Sequence, residues 1–118
     1  MEWDVEYTDQ FADWFDGLTE YQQNVIFSTV AFLERQGPGL GRPFVDSIRG
    51  SRHSNMKELR VPVDNIRLLF AFDPRRMAIL LIGGDKTHRW NVWYREMIPV
   101  ADELYEEHLE SLRKEGLL

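Results

Sequence analysis

Lys57, Arg60, Arg67, Arg75, Arg76 and Lys86 fall within thirty residues of one another, in a stretch that otherwise reads as strands. Arg67 interrupts an apolar run, Ile66-Arg67-Leu68-Leu69-Phe70. A cation there must point into a solvated groove or find a carboxylate, Glu58 or Asp85, because burying it alone costs on the order of several kcal/mol. Cations converging from neighbouring strands suit a phosphate, and above all a phosphorane-like transition state, where fixed positive charge acts most strongly. Trp90, Trp93 and Tyr94 follow directly. Aromatic rings beside a basic groove can stack on bases, and the same rings at a helix start can pack on a sheet.

Other chemistries find little support. There is no Cys, which removes disulfides, thiolate metal sites and a cysteine nucleophile. His53, His88 and His108 are scattered without ligand spacing on any one element. His108 lies on an apolar helical stripe and reads as a packed side chain. Gly37-Pro38-Gly39-Leu40-Gly41 lacks the Lys-Ser/Thr of a phosphate-binding P-loop, and no nucleophile-elbow or dinucleotide motif occurs. No cofactor is expected.

The net charge of -6 argues against a polyanionic partner until it is resolved along the chain. Residues 1 to 41 carry -7, residues 42 to 95 carry +6, and residues 96 to 118 carry -5. A basic block flanked by acidic ends can hold a polyanion, since local charge counts for more than the total.

The elements that must position these groups follow from periodicity. The 118 residues predict one domain, with 43% hydrophobic and 29% charged residues. Glu2 to Tyr7 alternates acidic and apolar, the signature of a strand. Thr8 caps a short helix through Phe11, Trp14 and Phe15 that breaks at Gly17. Thr19 and Gln22 form a capping box for a second helix with the stripe Val25, Ile26, Thr29, Val30 and Leu33, ended at Gly37-Pro38. Gly37 to Asn55 reads as a long connection anchored by Ile48. Met56–Val61 and Ile66–Phe72 read as strands, Asp73-Pro74-Arg75-Arg76 as a type I turn, Met77–Ile82 as a central strand loosened at its end by Gly83-Gly84. Ala101, Leu104, Tyr105, His108 and Leu112 mark a last helix, with Pro99 at its first turn or at a kink. The expected order is β-α-α-β-β-β-α, an α+β domain with an antiparallel-rich sheet of about four strands, two N-terminal helices and a C-terminal helix, the helices on one sheet face. No apolar run is long enough to span a membrane and the first residues form no secretory signal, so a cytoplasmic location is expected.

Three segments together resemble the HigB-like branch of the RelE/ParE superfamily of toxin–antitoxin toxins: Gly50-Ser51-Arg52-His53-Ser54-Asn55-Met56-Lys57-Glu58-Leu59-Arg60, then Ile66-Arg67-Leu68-Leu69-Phe70-Ala71-Phe72-Asp73, then Ala78-Ile79-Leu80-Leu81-Ile82-Gly83-Gly84-Asp85-Lys86. Trp93-Tyr94, Ile98 to Asp102 and Leu104 to Leu109 extend the likeness over nearly the whole chain.

The resemblance implies a RelE-like fold and a toxin that enters the ribosomal A site and cuts mRNA without metal. In that reaction the 2′-hydroxyl attacks the adjacent phosphate and leaves a 2′,3′-cyclic phosphate. It assigns catalysis to Lys57, Arg60, Arg67 and Lys86, with Tyr94 or His88 the nearest acid–base candidates. Glu58, the only carboxylate expected inside the cluster, could act as base but reads first as a salt-bridge partner. Arg52, Arg75, Arg76, His88, Arg89 and Trp93 would then contact RNA. The implied partners are the ribosome, mRNA and a cognate helix-turn-helix (HigA-like) antitoxin. Two other readings stand beside it, a ParE-like inhibitor of DNA gyrase without chemistry and an inert or regulatory phage-derived module.

Overall fold

The computed structural model describes residues 2–118. Its elements are β1 (Val5–Tyr7), α1 (Asp9–Asp16), α2 (Glu20–Gln36), a 3₁₀ turn (Gly37–Gly39), β2 (Val45–Ser47), β3 (Lys57–Arg60), β4 (Ile66–Phe72), β5 (Ala78–Asp85) and α3 (Trp90–Lys114). Both N-terminal helix starts fall where their side chains require. Thr8 accepts from the Phe11 amide at 3.0 Å, and Thr19 and Gln22 exchange reciprocal bonds with each other's amides. Gly37 ends α2 at a φ of 56° with its Cα against the Trp3 indole, where a Cβ would come within 2.3 Å of the ring.

The five strands lie in the order β1-β5-β4-β3-β2, with β1 parallel to β5 and every other pair antiparallel. The fifth strand is β2, cut from the stretch that reads as a connection, too short for its alternation to register in sequence. β5 is an interior strand, as its two apolar faces require, paired with β1 on one side and β4 on the other. β5 runs straight through Gly83 and Gly84 to Asp85. The glycines do not loosen it: each admits a tryptophan to the strand, Trp14 against Gly83 and Trp93 against Gly84.

The helices cover both faces, not one. Phe11, Ile26 and Leu33 of α1 and α2 pack with Leu59, Leu68, Phe70 and Leu80. Trp93, Ile98, Ala101, Leu104 and Tyr105 of α3 pack with Leu69, Ala71, Ile79 and Leu81 on the other face. A sheet apolar on both sides needs a helical layer on each, because either face left bare would expose strand residues such as Leu68 or Leu69 to water. α3 begins at Trp90 and carries Pro99 within it, which leaves the Arg95 carbonyl without its helical donor. Among the described residues no helix is long and apolar enough to cross a membrane.

The ladder between β4 and β5 is interrupted once. Leu69 pairs Ile82 while Phe70 pairs Leu80, so Leu81 is an extra residue on β5. The bulge reverses the parity of that strand. Before it Ile79 and Leu81 face α3; after it Ile82 and Gly84 do.

Candidate active site

The α3 face of the sheet gathers the ionisable groups. β3 presents Glu58 and Arg60 there, and β4 places Arg67 directly opposite Arg60. Glu58 is only 4% exposed. Its Oε1 accepts from Arg60 Nε at 3.0 Å and lies 3.9 Å from Arg67 Nε. Its Oε2 accepts from the Tyr94 hydroxyl, carried on the first turns of α3, at 2.7 Å. Lys86 Nζ donates to the Tyr94 oxygen at 3.4 Å and sits over the Tyr94 and Trp90 rings, 5.1 and 5.0 Å from their centroids.

Arg67 is the group whose needs are least met. Its Nη1 donates to the Ile66 carbonyl at 3.0 Å. Its Nε is the one buried side-chain polar atom among the described residues with no hydrogen-bond partner. Such a donor is costly to leave unmade, and it is ordinarily met by an ordered water, an ion or a ligand.

The electrostatics set the protonation states. Burial and the hydrogen bond to Glu58 push the Tyr94 phenol up to about 12, so it remains a donor at neutral pH. Burial, then the Arg67 cation, lower the Lys86 ammonium below its usual value. The Glu58 hydrogen bond holds the Arg60 guanidinium firmly charged. The result is a fixed cationic surface, a buried carboxylate, and one lysine whose charged form is less favoured than usual.

Above Glu58, Arg60 and Tyr94 lies a groove of about 570 Å³ between β2, the β2–β3 loop and α3. Asp46, Arg49, Asn91 and Arg95 also line it. Their order in sequence gives no hint of this, because Asp46 and Arg49 come from the unread strand β2 and the loop after it. Only Asn91, Tyr94, Arg95 and Ile98, spaced three and four apart, carry a signal that one helical face closes the groove. Asp46 also means that Glu58 is not the sole carboxylate present, since it accepts from Arg60 Nη2 at 3.3 Å.

The other sequence candidates lie elsewhere. Lys57 pairs Phe70 and shares the face of Leu59, so strand alternation turns it away from Glu58 and Arg60. Arg75 and Arg76 sit at the far end of β4, about 20 Å from Arg67 at 3.3 Å per residue. There Arg75 binds Asp73 and Glu6, and Arg76 lies over Trp3. Arg52 is engaged by Glu106 at 2.7 Å, and Arg89 by Glu96. Trp93 is 2% exposed and packs on Gly84, which leaves no face for a base; the exposed ring is Trp90, at 55%. His88 lies just ahead of α3 in the left-handed region, φ 62°, and among the described residues no hydrogen bond or ion pair joins it to the Glu58 cluster.

His108 is a partly buried side chain on α3, in keeping with its place on the apolar stripe, and it meets Asp73 at 2.9 Å. Glu6, Asp73 and His108 bring ligand atoms within 4.8 Å of one another. Arg75 Nη2, bonded to Glu6 at 2.7 Å and Asp73 at 2.8 Å, already supplies the cation.

Known proteins share both the sequence and the fold. A family model described as phage-derived protein Gp49-like matches residues 13–106. Two Mycobacterium tuberculosis proteins are similar across most of the chain. "Putative toxin HigB2" is 48% identical over 109 residues, 90% of this chain and 53% of that protein, so the chain spans about half its length. "Putative toxin HigB3" is 47% identical over 86% of this chain and 90% of its own. Among solved structures, the archaeal RelE–RelB complex from Pyrococcus horikoshii matches with a TM-score of 0.59 at 15% identity, covering 73% of this chain and 97% of that one. A free-state E. coli RelE mutant matches at 0.59 and 10% identity, over 95% and 99%.

Proposed function

The chain belongs to the Gp49-like family, among the HigB-like toxins of the RelE/ParE superfamily, and from that premise we propose that it is the toxin of a toxin–antitoxin pair and acts as a ribosome-dependent mRNA endoribonuclease. The observation that carries this reading is the convergence of Arg60, Arg67 and Lys86 on one buried carboxylate–phenol pair. A protein that only binds a partner has no chemical reason to hold three cations, one of them a lysine of lowered basicity, around one buried carboxylate.

The reaction follows from the charges. The 2′-oxygen attacks the adjacent phosphorus, forming the cyclic P–O bond as the P–O5′ bond breaks. Glu58 takes the proton from the 2′-hydroxyl. Arg67 and Arg60 hold the equatorial oxygens of the phosphorane, the Arg67 Nε gaining the partner it lacks. Lys86 protonates the departing 5′-oxygen, and Tyr94, hydrogen-bonded to both Glu58 and Lys86, returns the proton from one to the other. Lys57 has no part in this scheme. The partners are the ribosome with its mRNA and a cognate antitoxin, the latter in keeping with RelE-type relatives whose solved structures are antitoxin complexes.

Two results test it. Induced expression in a bacterium should arrest growth and give codon-phased cuts by primer extension on abundant transcripts; arrest without such cuts, with gyrase inhibited instead, would overturn the nuclease reading. Cleavage should also decline on the alkaline side below the usual lysine range, because Lys86 must be protonated to act and its protonated form is lost as pH rises through a lowered pKa. Lys86→Arg should displace that alkaline limb upward, and an unchanged profile would remove Lys86 as the acid.

A further inference from the structure

Of the eleven arginines in the chain, only Arg49 and Arg95 lie against neither a carboxylate nor an aromatic ring among the described residues. This is unexpected in a protein with twenty acidic side chains and a net charge of -6. The carboxylates nearest in sequence are engaged elsewhere. Asp46 holds Arg42 at 2.9 Å and Arg60 at 3.3 Å, and Glu96 turns to Arg89.

Both unpaired arginines line the same groove, from opposite walls. Arg49 stands on the loop after β2, and Arg95 one residue beyond Tyr94 on α3. The floor between them is Glu58, Arg60 and Tyr94. Both side chains are exposed, and an unpaired guanidinium presents its donors in a planar fork suited to phosphate oxygens. Two such forks facing across a groove raise its positive potential, because its two carboxylates, Asp46 and Glu58, are already held by Arg42 and Arg60.

We propose that Arg49 and Arg95 form a second phosphate subsite that clamps the phosphodiester next to the scissile one. This rests on the nuclease reading. The two side chains reach the strand by its backbone and not by base edges, so they add affinity and register without sequence preference. They are positioning residues. Holding the neighbouring phosphate fixes the attacked phosphorus over Arg60 and Arg67 and leaves the chemical step to the floor.

The experiment is single-turnover cleavage on mRNA-programmed ribosomes as a function of toxin and salt concentration, for the full chain and for Arg49→Ala, Arg95→Ala and the double variant. The half-saturating concentration should rise ~10-fold or more in the double variant, the loss of two charged contacts, with the plateau rate within about twofold of the parent. The slope of log affinity against log salt should flatten by about one per arginine removed. Arg49→Lys with Arg95→Lys should fall between, since lysine keeps the charge but loses the fork.

The phosphate could also belong to ribosomal RNA. Binding to mRNA-free ribosomes separates the sources: equal weakening there would overturn the assignment to the cut strand, and weakening confined to programmed ribosomes supports it. Unchanged half-saturation, or a fall in the plateau alone, would also overturn it. Absence of cleavage by the parent chain would instead overturn the nuclease reading itself.

Discussion

Arg67→Ala is expected to reduce cleavage by about 10²–10³-fold, the loss typical of one preorganised donor at a developing negative charge. The same change should leave the fold standing. Glu58 keeps its bonds from Arg60 at 3.0 Å and Tyr94 at 2.7 Å, while the truncated side chain gives up one bond to the Ile66 carbonyl, a donor that had no hydrogen-bond partner, and a long 3.9 Å approach to Glu58. Removing an unsatisfied buried group offsets part of the packing lost, so stability should move by no more than ~1 kcal/mol. A thermal melt of the purified variant beside a single-turnover assay decides the matter. A fall of many degrees with cleavage intact would make Arg67 a structural cation.

The largest effect on stability is expected at the opposite end of the sheet. Asp73 has no exposed side-chain surface and gathers Arg75 at 2.8 Å, His108 at 2.9 Å and the amides of Arg75 and Met77 at 2.9 and 3.2 Å. Through them the β4–β5 turn is tied to α3, and through Arg75 to Glu6 of β1. Asp73→Asn removes the anion and leaves a guanidinium facing only the half-exposed Glu6. Breaking one partner of a buried pair costs roughly 3–5 kcal/mol, here nearer the lower figure because Glu6 remains. For a domain of this size that corresponds to ~10 °C in Tm.

The pH dependence carries a sign. Burial raises the Asp73 carboxyl, but the hydrogen bonds from His108, Arg75 and Met77 outweigh it and hold it below the usual carboxylate range. A depressed folded-state pKa contributes stability above the unfolded value, and that contribution is lost as pH falls through the folded one. The gap in Tm between parent and Asp73→Asn should therefore be full at pH 7 and shrink in strong acid. A gap that stays constant down to pH 3 would assign the loss to packing instead of charge.

Local signals determined a great deal of this protein. Thr8, Thr19 and Gln22 cap helices because their side chains reach only the next few amides, so the information lies within four residues. The run from Ile66 to Phe72 is a buried strand by its own apolar content, and Arg67 is conspicuous within it for the same reason. The motifs from Gly50 to Lys86 carried the family. Tertiary structure decided the rest. Lys57 and Arg60 share a strand, yet an odd separation puts them on opposite faces, and only the pairing with β4 says which face meets α3. Trp93 and Trp90 are equivalent in sequence, but one fills the space above Gly84 and the other faces water. Lys86 comes within reach of Tyr94 after a one-residue bulge at Leu81 that no periodicity of β5 itself reveals. Arg75, as basic as Arg67, is consumed by Asp73 and Glu6, residues 2 and 69 positions away. Charge and hydropathy are properties of single residues and are legible in order along the chain. Which charges remain unpaired depends on long-range register and on which helix covers which face, and those are fixed only when the sheet is assembled.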